Sequence, residues 1–450
     1  MNRADTQTFS KTVKDLVHRP DKGLSTNPKD ILYDLLMRSA LAFNVHELDD
    51  AENPARNRYS QPIPQAHPFI VLAAISSDIL IKTPPRKKAR IPRKISGKKV
   101  KKKVSKRNPD FVLRQHRDDC VLCEPASDFK IANWQRERLD ELVEAHEAAP
   151  QGWERPHIIC FGELAYPPPP AAVFAAGVDY VKQFGRYQVE FEQDVRKTLH
   201  SFSSATRPFL FLGSYHCPIT LYNVGMIMPR GGQEVIDMRV VSRVLTRDGF
   251  VTTTKDEEIR APIPHRKRFP AKRDSEQTRV PPDNAFRVFA TPVGRVAVLI
   301  CSDIIDLNQF LLVARYNDSA GKMDRIDFVL VPSHNTSPKL LQMCQQLSWL
   351  AVTTVIIVNA NGGANSAYPE TTVYCCGKSL MIKGEKKSRL LEVVSKSLIH
   401  SGKGIRRHSK ITWFRFRSQQ LADLINDTTD LVKSRLGLAT NLKAGTIYRN

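Results

Sequence analysis

Gly294-Arg-Val-Ala-Val-Leu-Ile-Cys-Ser-Asp303 is the stretch on which the reading of this chain turns. The apolar residues Val296 to Ile300 lead straight into Cys301, and Ile305 to Asn317 continues with helical spacing. A run this short and apolar reads as a strand buried on both faces. It predicts a thiol on a sharp strand-to-helix turn, near the positive end of a helix dipole. Backbone N–H groups there can stabilise both a thiolate and an oxyanion. A buried cysteine that merely ends a strand would show the same local pattern, so the stretch alone leaves both readings open.

Outward from it, strands and helices alternate. Strands are expected at Phe69 to Ile81, within Val112 to Leu122, and at His157 to Phe161, Phe209 to Leu212, Tyr222 to Met228, Phe328 to Val331 and Thr353 to Val358. Helices are expected around Trp134 to Val143, over Val173 to His200, at Pro338 to Ala351 and near Gln419 to Leu436. Asn27-Pro28 has the form of a helix cap, with apolar residues at helical spacing behind it. The alternation indicates an α/β domain with buried sheets. The expected organisation is an N-terminal helical extension (1–67), a strand plus basic loop or tether (68–110), an α/β domain (111–395), and a basic segment with a C-terminal helix (396–450).

The net charge of +22 is unevenly spread. Lys82 to Arg107 holds fourteen Lys or Arg and no acid, and without it the excess falls to +8. Val393 to Ala422 is likewise free of acids, with Arg406, Arg407, Arg415 and Arg417 among its cations. Like charges repel and little apolar surface is on offer, so neither run is expected to fold on itself. A solvated basic tether of this kind gives salt-sensitive affinity for phosphates, which makes nucleic acid or a nucleic-acid enzyme a candidate partner through Lys82 to Arg107.

The eight cysteines show no framework spacing. Cys120 and Cys123 form a lone CxxC without a second pair at zinc-site spacing, so structural thiols are the preferred reading and no metal is expected. Met1 to Asp21 is polar and no apolar run reaches membrane-spanning length, so a cytoplasmic protein with no membrane contact is the expectation.

Two more elements carry chemistry. Phe161-Gly-Glu-Leu-Ala-Tyr-Pro167 puts Glu163 at the end of an apolar strand, where a carboxylate can serve as a general base. Pro264-His-Arg-Lys-Arg-Phe-Pro270 carries Lys267, with Lys255 and Lys272 in the same window and Glu276 nine residues beyond. A lysine beside the thiol would stabilise charge developing on a substrate heteroatom. An exposed basic loop would also look this way.

Glutamate after one buried strand, lysine in the middle and cysteine after a later strand is an order that resembles the nitrilase, or carbon–nitrogen hydrolase, superfamily. Phe211-Leu-Gly-Ser214, Tyr222-Asn223, Val331-Pro-Ser333, Asn359-Ala-Asn-Gly-Gly363 and Gly377-Lys-Ser379 look like that family's further landmarks. The resemblance spans about Val112 to Lys383, roughly 60% of the chain. It implies a four-layer α-β-β-α sandwich of the nitrilase type, here with an N-terminal extension, and a homodimer or higher homo-oligomer. It implies Glu163 as general base, Cys301 as nucleophile, Lys267 as the catalytic lysine and Glu276 as the second glutamate. It implies hydrolysis of a small amide, nitrile or carbamoyl compound through a thioester, with no cofactor, or acyl transfer through the same intermediate. Ser302 departs from the aromatic residue that the family commonly has after its cysteine. The runner-up function keeps the fold without turnover, as a module associated with nucleic acid or with a partner in a defence system. Nitrilase-like modules beside bacterial reverse transcriptases look somewhat like this basic chain.

Overall fold

The structure is a computed structural model that describes residues 67–82, 109–116, 119–168, 180–218, 220–228, 235–246, 249–260, 263–269, 278–279, 285–291, 293–319, 325–334, 337–360, 371–382, 385–386, 390–402 and 405–428. The N-terminal helix expected after Asn27, the basic run beyond Lys82, and Lys272 and Glu276 lie outside these residues.

Two large sheets form a mixed α/β fold. The first has the strand order Ile263–Arg266, Asn223–Met228, Phe209–His216, Ile158–Phe161, Phe69–Ser77, Ile405–Arg417, Leu391–Gly402. Its central strands Phe69–Ser77, Ile158–Phe161 and Phe209–His216 run parallel and are buried almost throughout, as apolar, β-branched runs require when both faces are covered. The helix Ile131–Glu147 lies between the first two of these strands in sequence, and Tyr180–Ser201 between the second and third.

The second sheet has the order Lys378–Ser379, Thr371–Cys375, Thr354–Asn359, Ile326–Ser333, Gly294–Val298, Ala285–Thr291, Val235–Thr246, Gly249–Arg260. Gly294–Val298, Ile326–Ser333 and Thr354–Asn359 are parallel, and the helices Leu307–Ser319 and Pro338–Leu350 connect them. Pro338 occupies the first turn of its helix, and the Ser337 hydroxyl caps it by accepting from the Leu340 N–H at 3.2 Å. Among the described residues, no helix is long and apolar enough to cross a membrane.

The sheets share one core. Phe209 in the first packs on Phe289 in the second at 5.6 Å between ring centroids, and Phe416 on Phe328 at 5.9 Å. Gly162 and Ala360, just beyond strand ends of the two sheets, approach so closely that a Cβ on Gly162 would lie 2.7 Å from the Ala360 methyl. Glycine at 162 is therefore a steric requirement of the junction.

Phe69–Ser77 pairs with Ile158–Phe161 on one side and Ile405–Arg417 on the other, so residues from 68–110 and 396–450 complete the same sheet as residues from 111–395. The acid-free stretch from Val393 is a hairpin, Leu391–Gly402 with Ile405–Arg417, and not an unfolded basic segment. Its Trp413, Phe414 and Phe416 are buried, and Arg407 and Lys396 meet acids from distant sequence, Arg407 bonding Asp110 and Glu137 and Lys396 bonding Glu144, while Arg415 bonds Glu392 across the hairpin itself.

Candidate functional site

The site forms where strands of the two sheets end. Gly294–Val298 runs through Leu299 and Ile300 into a single 3-10 turn, Cys301–Ile305, before the next helix. Cys301 sits on this turn with φ +48°, a left-handed conformation that costs a non-glycine residue energy. It is 6% exposed, and the Ser333 hydroxyl reaches its Sγ at 3.4 Å.

Glu163 lies in the turn after Ile158–Phe161 and is 3% exposed. Three donors fix its carboxylate: Lys267 Nζ at 2.7 Å and Asn223 Nδ2 at 3.0 Å on Oε1, and the His334 N–H at 3.0 Å on Oε2. Lys267 follows the edge strand Ile263–Arg266 and is itself buried, its N–H donating to the Asn223 carbonyl at 2.8 Å. Asn223 thus holds the lysine by its main chain and the glutamate by its side chain. Ser333 and His334 are consecutive, one on the thiol and the other on the carboxylate, and they bring Glu163, Lys267 and Cys301 into one cluster.

Behind the cluster, Asp303 is buried and accepts from the Arg268 and Phe269 N–H groups at 2.7 and 2.8 Å and from the Ile300 N–H at 3.1 Å. Burial pushes its carboxyl up to about 7, against the opposing pull of the Lys267 charge and of the N–H donors. All eight cysteines are buried thiols. Burial pushes Cys160 and Cys344 well above the usual thiol range, and for Cys344 the charge of nearby Cys301 adds to the effect.

Of the residues singled out in the sequence, Glu163, Lys267 and Cys301 are gathered here. Lys255 is exposed on the edge strand Gly249–Arg260. His334 had no assigned part, and the side chain of Ser302 stood only as a departure from the aromatic residue common after the family's cysteine. For His334 the available signal was its place just past a parallel strand beside the cysteine strand, since sites in such sheets gather at strand C-termini.

Among the described residues, the group of three candidate metal ligands is His67, Glu154 and His157, with nitrogen and oxygen atoms 3.3–3.5 Å apart. His157 Nδ1 accepts the Val71 N–H at 3.1 Å, which puts the imidazole proton on Nε2, the atom a cation would need. These residues therefore do not fit a metal.

No protein-family model matches the chain, and no curated protein does. Solved structures do resemble it. A mutant of an amidase of the nitrilase superfamily from Nesterenkonia AN1 matches at 12% identity over 67% of this chain and 91% of its own, with a TM-score of 0.36. A CN-hydrolase superfamily protein from Xanthomonas campestris, with an arsenic adduct in its active site, matches at 10% identity over 79% and 93%, with a TM-score of 0.37. A double mutant of the Nesterenkonia amidase in complex with acrylamide matches at 10% identity over 82% and 98%, with a TM-score of 0.39.

Proposed function

We propose that this chain is a divergent, cytoplasmic carbon–nitrogen hydrolase of the nitrilase type, a four-layer α-β-β-α sandwich that assembles as a homodimer or higher homo-oligomer. The observation that carries the reading is the Glu163 carboxylate, shared between Lys267 Nζ and the His334 N–H, with Ser333 of the same turn on Cys301 Sγ. In this reading Glu163 takes the Cys301 proton, and the thiolate attacks the carbon of a small amide, nitrile or carbamoyl compound. Lys267 and a backbone N–H near Ser302 hold the developing charge. For an amide, Glu163 returns the proton to the departing nitrogen, and the thioester left on Cys301 is hydrolysed by a water that Glu163 deprotonates. Delivery of the acyl group to an amine would use the same intermediate.

Peptide mass spectrometry of cysteine alkylation across pH tests this without a known substrate. Cys301 should react far faster than Cys160 and Cys344 near neutral pH, and ammonia release from a panel of amides and nitriles should vanish in Cys301→Ala. Alkylation of Cys301 no faster than that of Cys160 would overturn the reading.

A second reading, a nucleic-acid- or partner-binding module with little turnover, is favoured by where the basic run is anchored. Its flanks are tied together: Leu80 N–H donates to the Asp110 carboxylate at 2.9 Å, and Asp110 and Phe111 N–H groups return to the Leu80 carbonyl. The adjoining Ile79 carbonyl lies 3.2 Å from Nε2 of His334, the residue whose N–H holds Glu163. Retention on duplex DNA or RNA that falls steeply with salt and survives Cys301→Ala would favour this reading.

A further inference from the structure

We infer that Ser302 and Asp303 are positioning residues that set Lys267 against Cys301. The inference rests on the catalytic reading above and adds to it the device that assembles the site. Lys267 and Cys301 follow strands of different sheets, Ile263–Arg266 at an edge of the first and Gly294–Val298 inside the second. The hydrogen bonds within each sheet therefore do not fix one against the other.

The bonds that do so come from the two residues after the thiol. Asp303 Oδ1 accepts from Arg268 and Phe269, the two residues after the lysine, and Oδ2 accepts from Ile300, the residue before the cysteine. The Ser302 hydroxyl donates to the Phe269 carbonyl. Every partner is a main-chain group, so the contact grips the backbone on which Lys267 rides. On its other side that backbone is held by the Lys267 N–H to the Asn223 carbonyl. Lysine is thus pinned before and after, and the second pin is built into the cysteine turn.

The chemistry explains both residue types. Three N–H groups converge on residue 303, and an aspartate, once ionised, offers acceptors on both oxygens, so the clamp is complete above about pH 7. Asparagine would keep Oδ1 for Arg268 and Phe269 but present an N–H₂ to the Ile300 N–H. A hydroxyl is required at 302 because its partner is a carbonyl. Neither side chain is proposed to touch substrate.

The test is the pH profile of Cys301 alkylation in the full chain, compared in Asp303→Asn, Asp303→Glu and Ser302→Ala, with the other seven thiols as internal controls. Asp303→Asn should slow Cys301 by roughly ten- to a hundredfold at neutral pH and move its profile to higher pH. Ser302→Ala should shift it the same way by less, and Asp303→Glu should recover part of the rate. A role confined to stability would instead speed alkylation of all the buried thiols together. A folded Ser302→Ala or Asp303→Asn with an unmoved Cys301 profile, beside a fast-reacting wild-type Cys301, would overturn the clamp alone. A wild-type Cys301 no faster than Cys160 would overturn the catalytic reading, and the clamp with it. Should Asp303→Asn fail to fold, Ser302→Ala, which removes one bond, still decides.

Discussion

Two groups of buried charges lie close together in this fold and differ in their chemistry. Around Trp134, Arg407 bonds Asp110 at 3.1 Å and both oxygens of Glu137 at 2.9 and 3.1 Å. Arg138 bonds Glu141 at 2.6 Å and Ser77 at 2.8 Å. The two guanidinium groups lie 4.4 and 5.0 Å from the Trp134 ring. Around Glu163, one lysine, one asparagine and one backbone N–H share a single carboxylate. Both groups are buried ion pairs, so burial of charge alone marks neither as functional. Arginine is the difference: its charge is fixed and its planar fork matches several acceptors, which suits a joint between elements. A lysine paired with a glutamate beside a thiol can instead accompany proton transfer.

Substitutions that break one group should leave the other's signature intact. The largest effect belongs to the site. Glu163→Gln should slow Cys301 alkylation and any amide turnover by about a hundredfold or more in folded molecules, and it should also lower the melting temperature, because it leaves the buried Lys267 charge without its carboxylate. Arg407→Met should lower stability without that loss of reactivity. It strands Asp110 and Glu137, and chemical denaturation should show a loss of about 3–5 kcal/mol while folded molecules keep a reactive Cys301.

A third test concerns a carboxylate outside both groups. Burial raises Asp327 to about 6 from an ordinary 3.8, and the Arg295 N–H donates to it at 2.8 Å. Because the folded value is the higher, the native state holds this proton more tightly. The resulting stability is fully present below about pH 4 and is lost as pH rises through about 6. Asp327→Asn should flatten the fall in stability between pH 4 and 8 by at most about 3 kcal/mol, read from denaturation at both pH values. An unchanged slope would break the assignment.

The smallest effect lies where the two groups meet. Trp134 Nε1 donates to the Ala165 carbonyl at 2.9 Å, two residues from Glu163. Trp134→Phe keeps an aromatic ring beside the arginines but drops that bond. It should cost about 1–2 kcal/mol and change the Cys301 rate by less than Ser302→Ala does.

How much of this was legible follows from where the forces act. The cysteine and glutamate strands announce themselves because their apolar residues are contiguous, and both expected strands lie where the sequence put them. The C-terminal hairpin was hidden because its positive charges are neutralised from afar, by Asp110, Glu137 and Glu144. A charge count along the chain cannot register such partners. Within the site, the apolar run before Cys301 pointed to the turn. The holding of Glu163 by the His334 N–H is a backbone contact across 171 residues, to which side-chain identity contributes nothing.

The φ of +48° at Cys301 has a consequence for how this chain can change. At that angle the backbone favours glycine over any residue with a Cβ, by about 1 kcal/mol. The Cys301 side chain occupies a seat that this backbone conformation would hold more comfortably empty, and Cys301→Gly should melt higher than Cys301→Ala. If the thiol does the work proposed for it, the strain at this turn is what that chemistry costs the fold, and a copy without such work would gain stability by losing the side chain.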